Sequence, residues 1–161
     1  MPFQSKNHGA MLSSMLLLVT NTHTIAEPDA RISILHPMRT MANLKSNNEE
    51  LNCIALGHEL LNHTAIKIGD LVRAGMSDRV ITGLILLKDC DTIEESIENV
   101  CQTYDTMRVG LACLIDRGPW IDLTTLTTVQ KLEVTTFHAS YLKISAAMKA
   151  YELAKQGVGL K

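Results

Sequence analysis

The amino-acid sequence predicts an all-α protein. Every strong hydrophobic period in the chain lies near 3.6 residues, and strand-like alternation never continues beyond a few residues. Residues that typically begin and end helices stand at the edges of these periodic segments. We therefore expect a single domain over residues 1–161, built from seven or eight helices, with its core between about residues 10 and 156.

Three helices are predicted in the first third of the chain. The first covers residues 9–22. The second covers residues 37–45 and begins with Pro37, whose fixed φ and missing N–H suit a first helical turn. The third is capped by Asn47 or Asn48 and continues past His58. Leu51, Ile54, Ala55, His58 and Leu61 share one face of this third helix.

Capping and stop signals define the middle of the chain. Gly75 ends a short helix over residues 67–74, because glycine readily adopts the left-handed conformation found there. Ser77 caps the next helix, which reaches residue 87. Thr92 and Glu95 have the spacing of a capping box and begin a helix that extends to about residue 104.

Two further helices complete the prediction. Residues 109–115 are apolar on all sides except for Gly110, which indicates a buried central helix. Gly118–Pro119 is expected to end that helix. The final helix covers residues 129–156 and stops at Gly157.

The composition argues against several classes of function. The formal net charge of -2 gives no basic excess to neutralise a phosphate backbone, and one Trp, three Tyr and two Phe offer few rings for stacking on bases. We therefore expect no nucleic-acid binding. The unbroken apolar run at residues 15–19 is far below the roughly 20 residues that span a bilayer. The four cysteines lack C-x-x-C spacing, which predicts reduced thiols in a cytoplasmic protein.

Ionisable residues occupy an otherwise apolar helix face. His58 follows Ile54 at helical spacing and Glu59 is its neighbour, so both stand where core residues are expected. A buried ionisable side chain costs free energy unless it is paired or bound to a metal ion. This region is therefore a candidate functional site. The alternative is a hydrogen-bonded histidine in an ordinary core.

Four ordered segments resemble a known family. The segments are ILHPMR at 34–39, ALGHELLNHT at 55–64, IGDLVRAGMS at 68–77 and VGLAC at 109–113. They are similar to motifs of the HD-superfamily hydrolase domain of alarmone enzymes, which includes the small alarmone hydrolases and the hydrolase half of RelA/SpoT-type proteins. The resemblance covers residues 10–156. It implies an all-helical HD-like fold and Mn²⁺-dependent removal of the 3'-pyrophosphate of (p)ppGpp.

The resemblance also implies a set of metal ligands. His36 and His58 stand at the family's first two ligand positions, Glu59 replaces its aspartate, and Cys113 replaces its last aspartate. A thiolate at that position favours Zn²⁺ or Fe²⁺ over Mn²⁺. Asp116, about one helical turn beyond Cys113, is the alternative ligand. Considered alone, Cys113 on an apolar helix is most simply a small core residue, and the sequence is also compatible with a protein that binds no metal.

The residues that carry out the family's proton transfer differ in this chain. The acidic pair that activates water in the family is Asn62-His63 here. Asparagine cannot act as a base, whereas histidine titrates near neutral pH and can. Alternatively, His63 caps the carbonyl groups at a helix end. The resemblance assigns the phosphate or nucleotide contacts to Arg39 and Lys88.

Two classes of function follow from these similarities and differences. The first, which we favour, is a divergent phosphohydrolase with weak or altered activity towards (p)ppGpp or a related guanine nucleotide. The retained histidines and carboxylate support it. The second is a catalytically inactive relative that binds a nucleotide or a protein partner. The joint loss of the acidic pair and of the last aspartate supports the second class.

Overall fold

The computed structural model describes residues 9–23, 33–117 and 127–157. Within these ranges the chain forms helices and no strand, which confirms the predicted all-α fold class. None of the described helices combines the length and apolar character that a membrane span requires. The helices are α1 (Ala10–His23), α2 (Leu35–Leu44), α3 (Glu49–Gly57), α4 (Leu60–His63), α5 (Ile68–Arg73), α6 (Asp78–Leu86), α7 (Ile93–Val100), α8 (Tyr104–Arg117) and α9 (Thr128–Lys155).

The predicted helix that carries His58 is divided in two. Helix α3 ends at Gly57 and α4 begins at Leu60, so His58 and Glu59 form a turn between them. Nδ1 of His58 lies 2.7 Å from the carbonyl oxygen of Ala55, and the backbone carbonyl of Glu59 accepts hydrogen bonds from the N–H groups of both Asn62 and His63. The prediction of one continuous helix was wrong, and this division gives nine described helices instead of seven or eight.

Three predicted helix caps are confirmed. The side chains of Asn48, Ser77 and Thr92 each accept a hydrogen bond from the backbone N–H three residues later. Each cap satisfies an N–H that has no partner inside its helix. Gly75 has the expected left-handed conformation with φ of 81°.

The boundary between α7 and α8 differs from the prediction. Helix α7 ends at Val100 instead of near residue 104, and α8 already begins at Tyr104. The hydroxyl of Thr103 accepts a hydrogen bond from the N–H of Thr106 at 3.1 Å, which caps the start of α8. Ile115 is 47% exposed, so the predicted burial does not extend to the end of α8. The predicted stop at Gly118–Pro119 lies outside the described residues.

Helix α3 is the centre of the core and brings the polar cluster together. Leu51, Ile54 and Leu56 are buried almost completely, and α3 packs against α1, α2, α6 and α8. Helices α2 and α8 also pack extensively against each other. This arrangement places the first turn of α2, the end of α3 and the C-terminal half of α8 next to one another.

Candidate metal centre

Three side chains with metal-ligating atoms converge where these helices meet. His36 lies in the first turn of α2, His58 follows α3, and Cys113 lies in α8. The two histidine Nε2 atoms are 3.2 Å apart, and Cys113 Sγ lies 3.3 Å from Nε2 of His36 and 3.7 Å from Nε2 of His58. The structure therefore brings together three of the four side chains predicted as ligands.

The hydrogen-bond partners of the two histidines define their tautomers. Nδ1 of His36 lies 2.6 Å from a carboxylate oxygen of Asp116, and Nδ1 of His58 lies 2.7 Å from the carbonyl oxygen of Ala55. Both partners are acceptors, so each Nδ1 carries the proton. In this tautomer Nε2 is the ring atom with the free lone pair, and in both histidines it is the atom that faces the cluster, as in a histidine that binds a metal ion.

The spacing and chemistry of the three atoms fit a divalent ion. Two nitrogens and one sulfur around a tetrahedral Zn²⁺ are separated by roughly 3.3 Å for the nitrogen pair and roughly 3.6 Å for each nitrogen–sulfur pair. Burial lowers the pKa of His58 to about 4, so its imidazole is neutral at pH 7. Burial raises the pKa of the Cys113 thiol to about 11, so binding of an ion through this sulfur releases the thiol proton. A donor set of two imidazoles and a sulfur suits Zn²⁺ or Fe²⁺ better than Mn²⁺.

Glu59 lies beside the cluster and is already paired. Its Oε1 accepts a hydrogen bond from Arg117 at 2.5 Å and lies 4.0 Å from Nε2 of His36. Its Oε2 lies 3.8 Å from Nε2 of the buried His23. The carboxylate is thus within reach of the cluster, but its nearest contact is a guanidinium group.

Asp116 supports His36 from outside the cluster. Its carboxylate accepts hydrogen bonds from Nδ1 of His36 and from the guanidinium of Arg39, whose Nε lies 2.5 Å away. Arg39, together with His36, holds the pKa of the Asp116 carboxyl below its ordinary value. The structure therefore gives Asp116 a positioning contact instead of the alternative ligand position. It also gives Arg39, predicted to contact phosphate, a partner within the protein.

The Asn62-His63 pair is split between two environments. The carboxamide of Asn62 accepts a hydrogen bond from the N–H of Asp89 at 3.0 Å and donates a longer one, of 3.5 Å, to the carbonyl of Leu87. These contacts tie α4 to the segment after α6, which is a structural role. His63 is exposed. Lys88, the other predicted nucleotide contact, is exposed as well.

Two cavities flank the cluster. One, of about 470 Å³, has apolar walls from α7 and α9 and includes Lys88. The other, of about 450 Å³, is lined by polar side chains that include Ser33 and Arg39. Glu59, His63 and Arg117 line both cavities. In the described part of the site, the candidate ligands therefore lie between the mainly apolar larger cavity and the polar smaller cavity.

Arg117 is a site residue that the sequence analysis missed. It follows Cys113 by four residues, and residues at this spacing share a helix face. The four-residue spacing from Cys113, already a candidate ligand, was therefore a signal in the sequence that could have identified Arg117. Arg117 contacts Nε2 of His36 in α2 and Oε1 of Glu59 in the turn after α3. Both contacts depend on how these elements pack.

Comparisons with known proteins identify the fold. No family model matches the chain, and no curated protein matches it. The chain is similar to the solved structure of a metazoan ortholog of SpoT, a protein that hydrolyses ppGpp and plays a role in starvation responses. The TM-score is 0.65 at 13% sequence identity, and the match covers 99% of this chain and 100% of the other. The resemblance to HD-type alarmone hydrolases is thereby confirmed at the level of the fold.

Proposed function

We propose that this protein is a divergent metal-dependent phosphohydrolase that acts on a guanine nucleotide such as (p)ppGpp. The observation that carries the proposal is the convergence of the Nε2 atoms of His36 and His58 and the sulfur of Cys113 within 3.2 to 3.7 Å of one another. These separations match those between the ligand atoms of a tetrahedral divalent ion. Metal binding in a phosphohydrolase fold would explain why these three side chains converge.

Each residue of the site has a part in the proposed reaction. His36, His58 and Cys113 hold the ion, with Glu59 beside them, and Asp116 keeps His36 in the ligating tautomer. A bound divalent ion polarises a phosphoryl oxygen and lowers the pKa of water. The exposed amine of Lys88, in the wall of the larger cavity, is available to an anionic substrate.

The proton-transfer machinery predicts slow turnover. His63 lies in the wall of both cavities and is the side chain that replaces the family's acidic pair in handling a proton. Asn62 contributes no base, and its amide is engaged by the segment after α6. Because a positioned general base contributes on the order of 10²- to 10⁴-fold, we expect turnover to be lower by a factor in that range than with an intact acidic pair.

A second candidate function is nucleotide or protein binding without turnover. It is favoured by the structural engagement of Asn62 and by the ion pair between Arg117 and Glu59. A polyphosphate needs only cationic groups and shape complementarity to bind, so retention of the cavities is compatible with this second function.

Metal titration combined with a nucleotide assay separates the two candidates. Chelator-treated protein is titrated with Zn²⁺ and with Mn²⁺ by isothermal titration calorimetry, and pyrophosphate release from ppGpp is then followed with each ion. We expect stoichiometric Zn²⁺ binding that His58→Ala abolishes and that His138→Ala, a change at an exposed histidine of α9, leaves intact. Slow metal-dependent release supports the hydrolase. Binding of ppGpp without release supports the binding module, and neither binding nor release leaves a protein-interaction module.

A further inference from the structure

Arg117 makes an unusual pair of contacts inside the candidate metal centre. Its Nε donates to Nε2 of His36 at 3.0 Å, and its terminal nitrogen donates to Oε1 of Glu59 at 2.5 Å. One guanidinium group thus binds a candidate ligand nitrogen and the neighbouring carboxylate at the same time. These are also two of the protein groups that a divalent cation in this centre would engage.

The contact with His36 excludes simultaneous metal binding at the same atom. An unprotonated imidazole nitrogen has a single lone pair in the ring plane. The proton on Nδ1 is committed to Asp116, so Nε2 is the only acceptor on the His36 ring. That one lone pair accepts either the N–H of Arg117 or a metal ion, but not both.

The contact with Glu59 is a second point at which Arg117 and a divalent ion would compete, through electrostatic attraction to the carboxylate. The Glu59 carboxylate is buried, and a buried carboxylate requires a compensating positive charge. Arg117 provides that charge from a side chain that is 54% exposed, so the guanidinium can leave the centre without crossing the core. A divalent ion next to Glu59 would supply the same compensation.

We propose that Arg117 is an internal cation that competes with the metal ion for His36 and Glu59. This inference rests on the proposed function, because it assumes that a divalent ion binds the cluster. Metal binding displaces the guanidinium from the centre into the wall shared by the two cavities, where it can meet an anionic substrate. Arg117 therefore determines how tightly the centre holds its ion.

The neighbouring Arg39 provides a matched control. Its side chain is 57% exposed, similar to that of Arg117, and it also lies close to the cluster. Within the described parts of the chain, its guanidinium donates hydrogen bonds to Asp116 and to neither Nε2 of His36 nor Glu59. Arg39→Gln therefore removes a nearby positive charge without removing a competitor for the lone pair.

The test is calorimetric titration of chelator-treated protein with Zn²⁺. We expect Arg117→Gln to tighten Zn²⁺ binding by on the order of 10-fold or more, because it abolishes two charge-assisted hydrogen bonds that the ion must break. Arg39→Gln breaks an exposed ion pair but leaves Asp116 bonded to Nδ1 of His36, so it should change the affinity by less than about 3-fold. Arg117→Lys retains the charge and provides a second variant in case the glutamine variant folds poorly, and circular dichroism checks each protein. We expect the Zn²⁺ affinity of Arg117→Lys to lie between those of the wild type and Arg117→Gln.

A second readout follows the guanidinium itself. In ¹⁵N–¹H spectra of the protein, the Nε–H resonance of Arg117 should shift on Zn²⁺ titration, while that of Arg39 should change little. Equal Zn²⁺ affinity in the wild type and both Arg117 variants would overturn the competition and leave the proposed function standing. Equal tightening by Arg117→Gln and Arg39→Gln would also overturn it, since charge alone would then explain the effect. If none of these proteins binds Zn²⁺, both the competition and the metal-dependent function are wrong.

Discussion

Asp116 and His36 are joined by a 2.6 Å contact between a carboxylate oxygen and ring atom Nδ1, although 80 residues separate them in the chain. The carboxylate can only accept this hydrogen bond, so it keeps the proton of His36 on Nδ1 and the lone pair on Nε2. The direction of that lone pair gives the cluster its resemblance to a metal centre. Asp116 therefore governs the chemistry of the site without belonging to the candidate ligand set.

Replacing Asp116 tests this dependence. An asparagine can donate its amide hydrogens to Nδ1 of His36, which moves the ring proton to Nε2 and removes the lone pair from the cluster. We expect Asp116→Asn to weaken Zn²⁺ binding by about 10- to 100-fold in calorimetric titrations. The control is Asp105→Asn, which breaks an ion pair with Arg79. An unchanged Zn²⁺ affinity in Asp116→Asn would contradict the assignment.

Cys113 determines which metal ion the centre prefers. We expect Cys113→Asp to weaken Zn²⁺ binding relative to Mn²⁺, because an oxygen ligand replaces the softer sulfur. The ratio of the two dissociation constants, measured by competition titration, checks this expectation. Cys101→Ser, at a partly buried thiol of the α7–α8 junction, is the control and should leave the ratio unchanged. A ratio that stays constant in Cys113→Asp would show that the sulfur is not a ligand.

Asn62 is expected to act on stability rather than on metal binding. Asn62→Ala removes the acceptor for the N–H of Asp89 and should lower the free energy of unfolding by about 1 kcal/mol in urea denaturation. Asn62→Asp keeps an acceptor oxygen and should lose less. Zn²⁺ affinity should remain that of the wild type in both variants. A loss of metal-dependent turnover at unchanged stability would instead point to a direct chemical role.

Gly83 permits the close packing of α6 against α3. A Cβ atom at this position would lie 2.7 Å from the Cδ1 atom of the buried Ile54. We expect Gly83→Ala to destabilise the protein by about 1–3 kcal/mol, which is typical of overpacking a core. Gly69→Ala is the matched control, because among the residues that the structure describes a Cβ there meets the end of the Arg73 side chain alone, at 3.5 Å. Thermal unfolding of both variants measures the difference, and equal melting temperatures would be inconsistent with tight packing at Gly83.

Cys53 should be the least reactive thiol of the folded protein. Its side chain is fully buried, and burial, with smaller contributions from Glu49 and Glu50, raises its pKa to about 12. Since the thiolate is the reactive form and increases with pH, almost none is present at pH 8. Iodoacetamide at pH 8 should label the partly exposed Cys90 in the native protein and Cys53 only after denaturation, as followed by mass spectrometry. Rapid native labelling of Cys53 would contradict its burial.

Much of the fold was predictable because helix signals are local. A cap such as Asn48, Ser77 or Thr92 bonds an N–H only three residues away, so the sequence contains the whole interaction. Two boundaries were wrong for an equally local reason. Thr103 lacks the Glu or Gln that would mark it as a capping box, and the periodicity around His58 continues across a turn.

The sequence alone determined the all-α class, most helix positions and three of the side chains that converge, those of His36, His58 and Cys113. The tertiary structure alone decided what each of them touches. Asp116 supports His36, Asn62 holds the segment after α6, and Arg117 reaches both His36 and Glu59. The physical reason is distance along the chain. Helices and caps arise from bonds between residues three or four apart, whereas the partner of a side chain on another helix depends on the packing of the whole core.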